Sequence, residues 1–149
     1  MFVVDTNVIG EIRKGPRADA GAIGFLRDPG NEIFVPVQVI EELRQGVEHI
    51  LHKGDVAQAN ALEAWLQKIL EEFSSRILVF DLDCAQAWGR LTGINNQNPI
   101  DKQIAAIALI YDLTVVTRNT SHFAGTGAKL LNPFSHLPIS PASNPQASP

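Results

Sequence analysis

Three carboxylates in this 149-residue chain, Asp5, Glu42 and Asp101, occupy positions from which chemistry is easily built. Asp5 closes the apolar run Phe2-Val3-Val4 and precedes a helical stripe at Val8, Ile9 and Ile12. That places it at the carboxyl end of a strand, the edge of a parallel sheet where ligands bind. Capping of the next helix, helped by Thr6, explains it equally well. Glu42 flanks the apolar arc of a helix one turn before Gly46, where it can look into a cleft, and Gly46 would let a ligand or another backbone come close. A solvated, ion-paired Glu satisfies the same position. With Asn98 as cap and Pro99 as first helical residue, Asp101 falls in the opening turn of a very apolar helix, where the helix dipole favours an acid for structural reasons alone. Each acid has a structural explanation by itself. Together, three acids at strand ends and helix starts can converge on one crevice. Carboxylates so placed repel, and unless a cation joins them some must take up protons. Oxygen-only ligands with open positions suit Mg²⁺ or Mn²⁺ rather than zinc. Such a site can activate water and stabilise charge on a phosphate during in-line hydrolysis.

Other reactive side chains read structurally. His49 and His52, three apart near a helix end, interact with its last carbonyls or with solvent. Trp65 and Trp88 fall on apolar helical faces as core or dimer contacts, and Cys84 is a small core residue. Ser74 and Ser75 have no evident base, so a Ser-His-Asp hydrolase lacks support. Arg13, Lys14 and Arg17 form a basic cluster after Asp5, and Arg44 and Arg118 are expected close to the acids. Together they can guide a phosphate backbone toward a metal.

The elements that must position these groups alternate between strand and helix. Strands are expected at 2–4, 33–35, 76–80 (RILVF), 113–117 (LTVVT) and, as an edge, 129–131. Helices are expected after Asp5, over 19–27, from Pro36 past Ile50, from Asp55 to Phe73, over 83–91 and over 99–111, the last apolar all round after Gln103. This order predicts an α/β domain of about 134 residues with a mostly parallel central sheet flanked by helices. Residues 138–149 carry four of the chain's nine prolines. The expectation there is a disordered Pro/Ser-rich tail over 135–149. With 45% hydrophobic residues and a mean hydropathy of +0.03, a packed core is within reach and wholesale disorder is excluded. No apolar run approaches a membrane span of ~18 residues, and MFVVDTNVIG lacks the positive start and cleavage site of a secretory signal. A cytoplasmic protein is expected. One cysteine excludes an intramolecular disulfide and a Cys-based zinc site, and a net charge of −4 argues against nucleic-acid binding through bulk positive charge.

Four stretches, in order, make the chain resemble the PIN-domain ribonucleases, and within them the VapC-like toxins of bacterial type II toxin–antitoxin pairs: VVDTNVIGEIRK, VIEELRQG, DKQIAAIALIYDLTVVTRNTSHF and LLNPF. The resemblance runs from Met1 to about Phe134. It implies a PIN-like three-layer fold and a Mg²⁺-dependent endoribonuclease, with Mn²⁺ substituting. Asp5, Glu42 and Asp101 match the family's three acids as metal ligands. Asn7, Arg44, Arg118 and Arg13 are implied on the substrate side. The implied partners are an RNA (tRNA or rRNA), a cognate antitoxin and a second copy of the chain, with the apolar surface between Val56 and Phe73 contributing to the dimer. Many members carry a fourth acid after the last inner strand. Here Asn119 and His122 take the two candidate places, so Asn119 is expected to support the catalytic site as a neutral oxygen. The missing acid keeps an alternative open, an inactive PIN-like subunit that binds a partner protein or RNA. A phosphotransfer receiver domain fits poorly, because Asp5 stands without a neighbouring acid and Arg118 replaces the Lys such a site needs.

Overall fold

The computed structural model describes residues 1–135. The last segment, with the expected tail from 136 onward, lies outside the described residues. The elements run β1 (Phe2–Val4), α1 (Thr6–Ile9), a 3-10 stretch (Gly10–Arg17), α2 (Ala20–Arg27), β2 (Ile33–Pro36), α3 (Val37–His52), α4 (Val56–Glu72), β3 (Ile77–Leu78), α5 (Leu82–Thr92), α6 (Pro99–Tyr111), β4 (Thr114–Val116), a 3-10 turn (Thr120–Phe123) and β5 (Lys129–Leu131). Every strand pair is parallel, in the order β3-β2-β1-β4-β5.

Successive side chains on a strand point to opposite faces, and here the two faces serve two cores. Val4, Ile33, Val35 and Val116 pack with Val39, Leu43, Leu62, Leu66 and Ile69 of α3 and α4. Val3 and Val115 pack with Ile104, Ala105 and Ala108 of α6 and with Phe123. Helices thus cover both faces of a sheet whose strands are apolar runs, as a parallel sheet requires. The three-layer α/β expectation holds.

The differences have physical causes. The strand expected at 76–80 shrinks to Ile77–Leu78, which pairs with Val35 and Pro36. Helix α3 begins at Val37 and takes the backbone of β2 out of the sheet, so Val79 finds no partner and is 63% exposed. Helix α6 is not buried all round, since its last turn leaves Leu109, Ile110 and Tyr111 partly exposed. Asn98 does precede α6, but in the left-handed region (φ 49°) and without a side-chain cap. Most of the apolar stripe of α4 is closed to a partner, because Leu62, Leu66 and Ile69 are buried with the α3 residues, while Val56 stays exposed. Lys14-Gly15-Pro16 does break the helical stripe, through Gly15 at φ 54° and ψ −124°, where a Cβ would be strained. Ser135, expected in the tail, is tied to the domain: its N–H and hydroxyl both donate to the Asp19 carboxylate. No described helix is long and apolar enough to cross a membrane.

Candidate metal centre

The strand order places β1 at the middle of the sheet, with the chain leaving it toward β2 on one side and β4 on the other. A crevice opens at such a switch point, outside the carboxyl ends of the strands. Asp5 follows β1 there, and its N–H donates to the Val116 carbonyl at 3.0 Å. Helix α3 leaves β2 at Val37, so Glu42 comes to the crevice from one side. Helix α6 brings Asp101 in its first turn, and the chain after β4 brings Asn119 and His122.

Asp5 is both cap and candidate ligand. Its Oδ1 accepts from the Thr6 N–H at 2.8 Å, and Oδ2 accepts from the Thr117 hydroxyl at 2.8 Å and the Asn7 amide at 3.2 Å. The Asn7 amide also donates to Thr117 Oγ1 at 3.2 Å, while Asn7 Oδ1 accepts from the Arg118 N–H at 3.0 Å. Thr117 Oγ1 in turn accepts from the Asn119 N–H at 3.0 Å. The DTN and TRN tripeptides are therefore one web, and the Asp5 carboxylate cannot turn without breaking it.

One crevice of about 390 Å³ is lined by Asp5, Thr6, Asn7, Glu42, Asp101, Asn119 and His122. Asp5, Glu42 and Asp101, expected at one crevice, all line this one, with Asn7 and Asn119 beside them. Burial pushes the Asp5 carboxyl above the ordinary range; Thr117 and Thr6 oppose this and the charge of Asp101 adds to it. Burial likewise raises Glu42, reinforced by the charges of Asp5, Asp101 and Glu41. The Thr6 hydroxyl pulls Glu42 the other way, yet Thr6 Oγ1 is buried without a hydrogen-bond partner of good geometry. An orphaned hydroxyl beside carboxyls that resist ionisation is an oxygen-rich cradle short of a positive charge. Among the described residues no three acidic, His or Cys side chains stand close enough to grip one ion directly. The oxygen donors of the crevice are of the kind that suits a hard cation, which would have to bring water of its own to be held there.

His122 was read from sequence only as a missing acid. Its Nδ1 lies 2.9 Å from Asp101 Oδ2 at the rim of the crevice, a contact made by the 3-10 turn after β4. Thr6 and Thr117 were also missed as members of the site; their only sequence signal is position beside Asp5 and Arg118.

Three of the expected substrate-side cations lie elsewhere. Arg44 is paired with Glu63 of α4, one contact at 3.0 Å and a shorter one beside it, and reaches Glu48 at 3.7 Å. It sits two residues from Glu42, hence about 200° around the helix, so the two cannot face one crevice. Arg13 lies over the Trp65 ring at 5.4 Å. The Arg118 guanidinium lies over Phe134 at 4.9 Å, so this residue meets the site through its backbone alone. The Arg118 side chain instead helps to line a second cavity of about 360 Å³ with Glu11, Lys14, Arg17 and Ser135. A Cβ at Gly46 would meet Leu62 at an ordinary 3.7 Å, so no close approach depends on that glycine.

Comparison with known proteins comes down to one family. The model described as "PIN domain" matches residues 2–128. The chain is similar to the plasmid stability protein StbB of Pseudomonas syringae pv. tomato, 32% identical over 90% of this chain and 99% of that one. It is similar to the VapC ribonuclease Y4jK of Sinorhizobium fredii, 30% identical over 90% of this chain and 98% of that one. Among solved structures, FitAB bound to an IR36 DNA fragment superposes with a TM-score of 0.78 at 26% identity, covering 94% of this chain and all of the other.

Proposed function

From the premise that the chain belongs to the PIN-domain family, we propose that it is a Mg²⁺-dependent endoribonuclease, with Mn²⁺ as substitute. In this reading it is the toxin of a toxin–antitoxin pair and acts in the cytoplasm. The observation that carries the proposal is the crevice in which Asp5, Glu42 and Asp101 meet while burial and mutual charge hold two of them above the ordinary carboxylate range. The relative named as a VapC ribonuclease supports the reaction class. The FitAB likeness and the resemblance to VapC-like toxins support an antitoxin partner.

When bound, the cation supplies an activated water and neutralises charge on the phosphodiester. The chain's own groups do the rest. Asp5, locked by Thr6, Asn7 and Thr117, presents a fixed carboxylate at the strand end. Glu42 and Asp101 approach from α3 and α6 and hold cation-bound waters or the cation itself. Asn119 offers a neutral oxygen on the β4 side. RNA hydrolysis then leaves a 5′-phosphate and a 3′-hydroxyl. The chain would work as a homodimer, to which the outer residues of α4 such as Val56 remain available while α3 covers Leu62, Leu66 and Ile69.

Replacing Asp5 by Asn tests this directly. Cleavage of a mixed RNA pool by purified protein should fall by at least about a hundredfold, the scale of losing several kcal/mol of transition-state charge stabilisation. The fold should persist, since the loss of one repelling charge offsets part of the cost of the bonds that the carboxylate accepts from Asn7 and Thr117. Unchanged cleavage by a folded variant refutes the reading. The absence of a carboxylate at Asn119 and His122 favours a second reading, a non-catalytic PIN subunit that binds a protein partner or RNA. Under that reading the unaltered chain cleaves nothing in Mg²⁺ or Mn²⁺, yet binds its partner.

A further inference from the structure

Asp5 and Asp101 reach the crevice with unequal support. Asp5 accepts hydrogen bonds from three donors, the Thr6 N–H, the Thr117 hydroxyl and the Asn7 amide. Asp101 sits in the first turn of α6, and among the described residues its carboxylate has one side-chain partner, Nδ1 of His122 at 2.9 Å from Oδ2. An ionised carboxylate only accepts, so this ring nitrogen donates whether the imidazole is neutral or charged. The ring stands on a firm base. The His122 N–H donates to the Asn119 carbonyl at 3.0 Å. The next residue, Phe123, is buried and packs with Ile104, Ala105 and Ala108 of α6. The Thr126 hydroxyl donates to the Phe123 carbonyl at 2.7 Å and closes the turn. The imidazole itself stays accessible at the rim, 44% exposed against 19% for the Asp101 side chain.

We propose that His122 is a positioning residue of the metal centre: its Nδ1–H holds Asp101 Oδ2 and leaves the other carboxylate oxygen to meet the cation or its water. The proposal rests on the metal-dependent ribonuclease reading above. A carboxylate without a brace must give up side-chain freedom when it takes a cation. Fixing it beforehand removes that cost, which is how the outer partners of a ligand raise metal affinity. A fourth carboxylate at position 122 would add repulsion to a crevice where the charge of Asp101 already opposes ionisation of Asp5 and Glu42. An imidazole N–H there adds a donor instead. It also ties α6 to the chain after β4, so that Asp101 is held to the same sheet edge as Asn119. Stability is not the use of this contact, since an exposed pair contributes little to it.

Three measurements on the full chain test this. In metal-free protein, nitrogen NMR of the neutral His122 ring should find the proton on Nδ1, against the Nε2 preference of a free imidazole. A proton on Nε2 would overturn the proposal. Calorimetric titration with Mn²⁺ then compares three variants with the unaltered chain. The amide nitrogen of His122→Asn reaches the place of Nδ1, that of His122→Gln reaches the place of Nε2, and His122→Ala reaches neither. The Ala and Gln variants should bind Mn²⁺ about tenfold more weakly, the cost of losing a ligand's outer partner, while Asn keeps most of the affinity. All three should melt close to the unaltered chain. In RNA cleavage, the Mg²⁺ concentration for half-maximal rate should rise by the same factor in the Ala and Gln variants while KM for RNA holds. A raised KM for RNA with unchanged Mn²⁺ affinity would overturn the brace and make His122 a substrate contact. Equal Mn²⁺ affinity in all four proteins would also overturn it, and if they cleave RNA the nuclease reading stands. Affinities in the expected order without cleavage by any of the four would support the brace and overturn the nuclease reading.

Discussion

The two flanks of the acid crevice differ in kind. Toward α3 and α6 the walls are amides, acids and apolar side chains, with Gln38, Glu41 and Gln103 prominent. On another flank, Lys14, Arg17 and Arg118 line a cavity near Phe134 and Ser135 together with the acids Glu11 and Asp19, Lys14 being paired with Glu11. A net charge of −4 conceals this division, because three basic groups against two acids leave that flank positive while the chain as a whole is negative. The lesson is polarity: one flank is neutral to acidic, the other carries the excess of basic groups, and in the proposed function the second would hold the RNA backbone.

The largest effect should come from the anionic middle. Asp5 and Glu42 both have raised values in the fold, so their neutral forms favour folding. In metal-free protein that stability is fully present below the ordinary carboxylate range and is lost as pH rises through the raised values. A divalent cation held there, as proposed, would bind the ionised form and reverse the loss. Thermal melts across pH with and without Mg²⁺ should therefore diverge as pH rises, with the gain from Mg²⁺ growing. A constant gap would mean that these carboxyls do not hold the ion.

A smaller effect should come from the cationic flank. Arg17→Gln and Arg118→Gln should each weaken single-stranded RNA binding by a few-fold at low salt. Each should flatten the salt dependence of log K by about 0.7 per lost phosphate contact, without changing base preference. Gln38→Leu, on the other flank, should leave the salt slope unchanged. If it flattens that slope as the arginine variants do, the division into flanks fails. The smallest effect belongs to Arg44→Ala. Its partners Glu63 and Glu48 lie away from the crevice, so cleavage rate and salt slope should stay unchanged while the melting temperature falls slightly. A large loss of cleavage would show that Arg44 swings toward substrate.

What could be read from the sequence follows what is local. The bounds of α6 are as expected, because Pro99 and the apolar run to Tyr111 are signals in the chain itself, and Asp112 then ends the helix in the left-handed region. The meeting of three acids was legible because strand ends and helix starts share one edge of a parallel sheet. The length of β3 was not, since pairing depends on where β2 turns into α3. Arg44 was misplaced because neighbours in a motif need not share a helical face. His122 matters only once the turn after β4 lies beside α6, and no local signal announces that.

The web around Asp5 also determines when the site can exist. Thr117 is 112 residues away along the chain, and the bond from the Arg118 N–H to Asn7 spans 111. Contacts of that span form late, after loop closure and after the intervening helices have docked. A chain still emerging during synthesis, at roughly 5–20 residues per second, carries its first acid from the start but cannot brace it until β4 is in place. Assembly of the crevice is therefore a checkpoint on completion of the domain, and amide exchange at Asp5 and Arg118 should report global unfolding rather than local fraying.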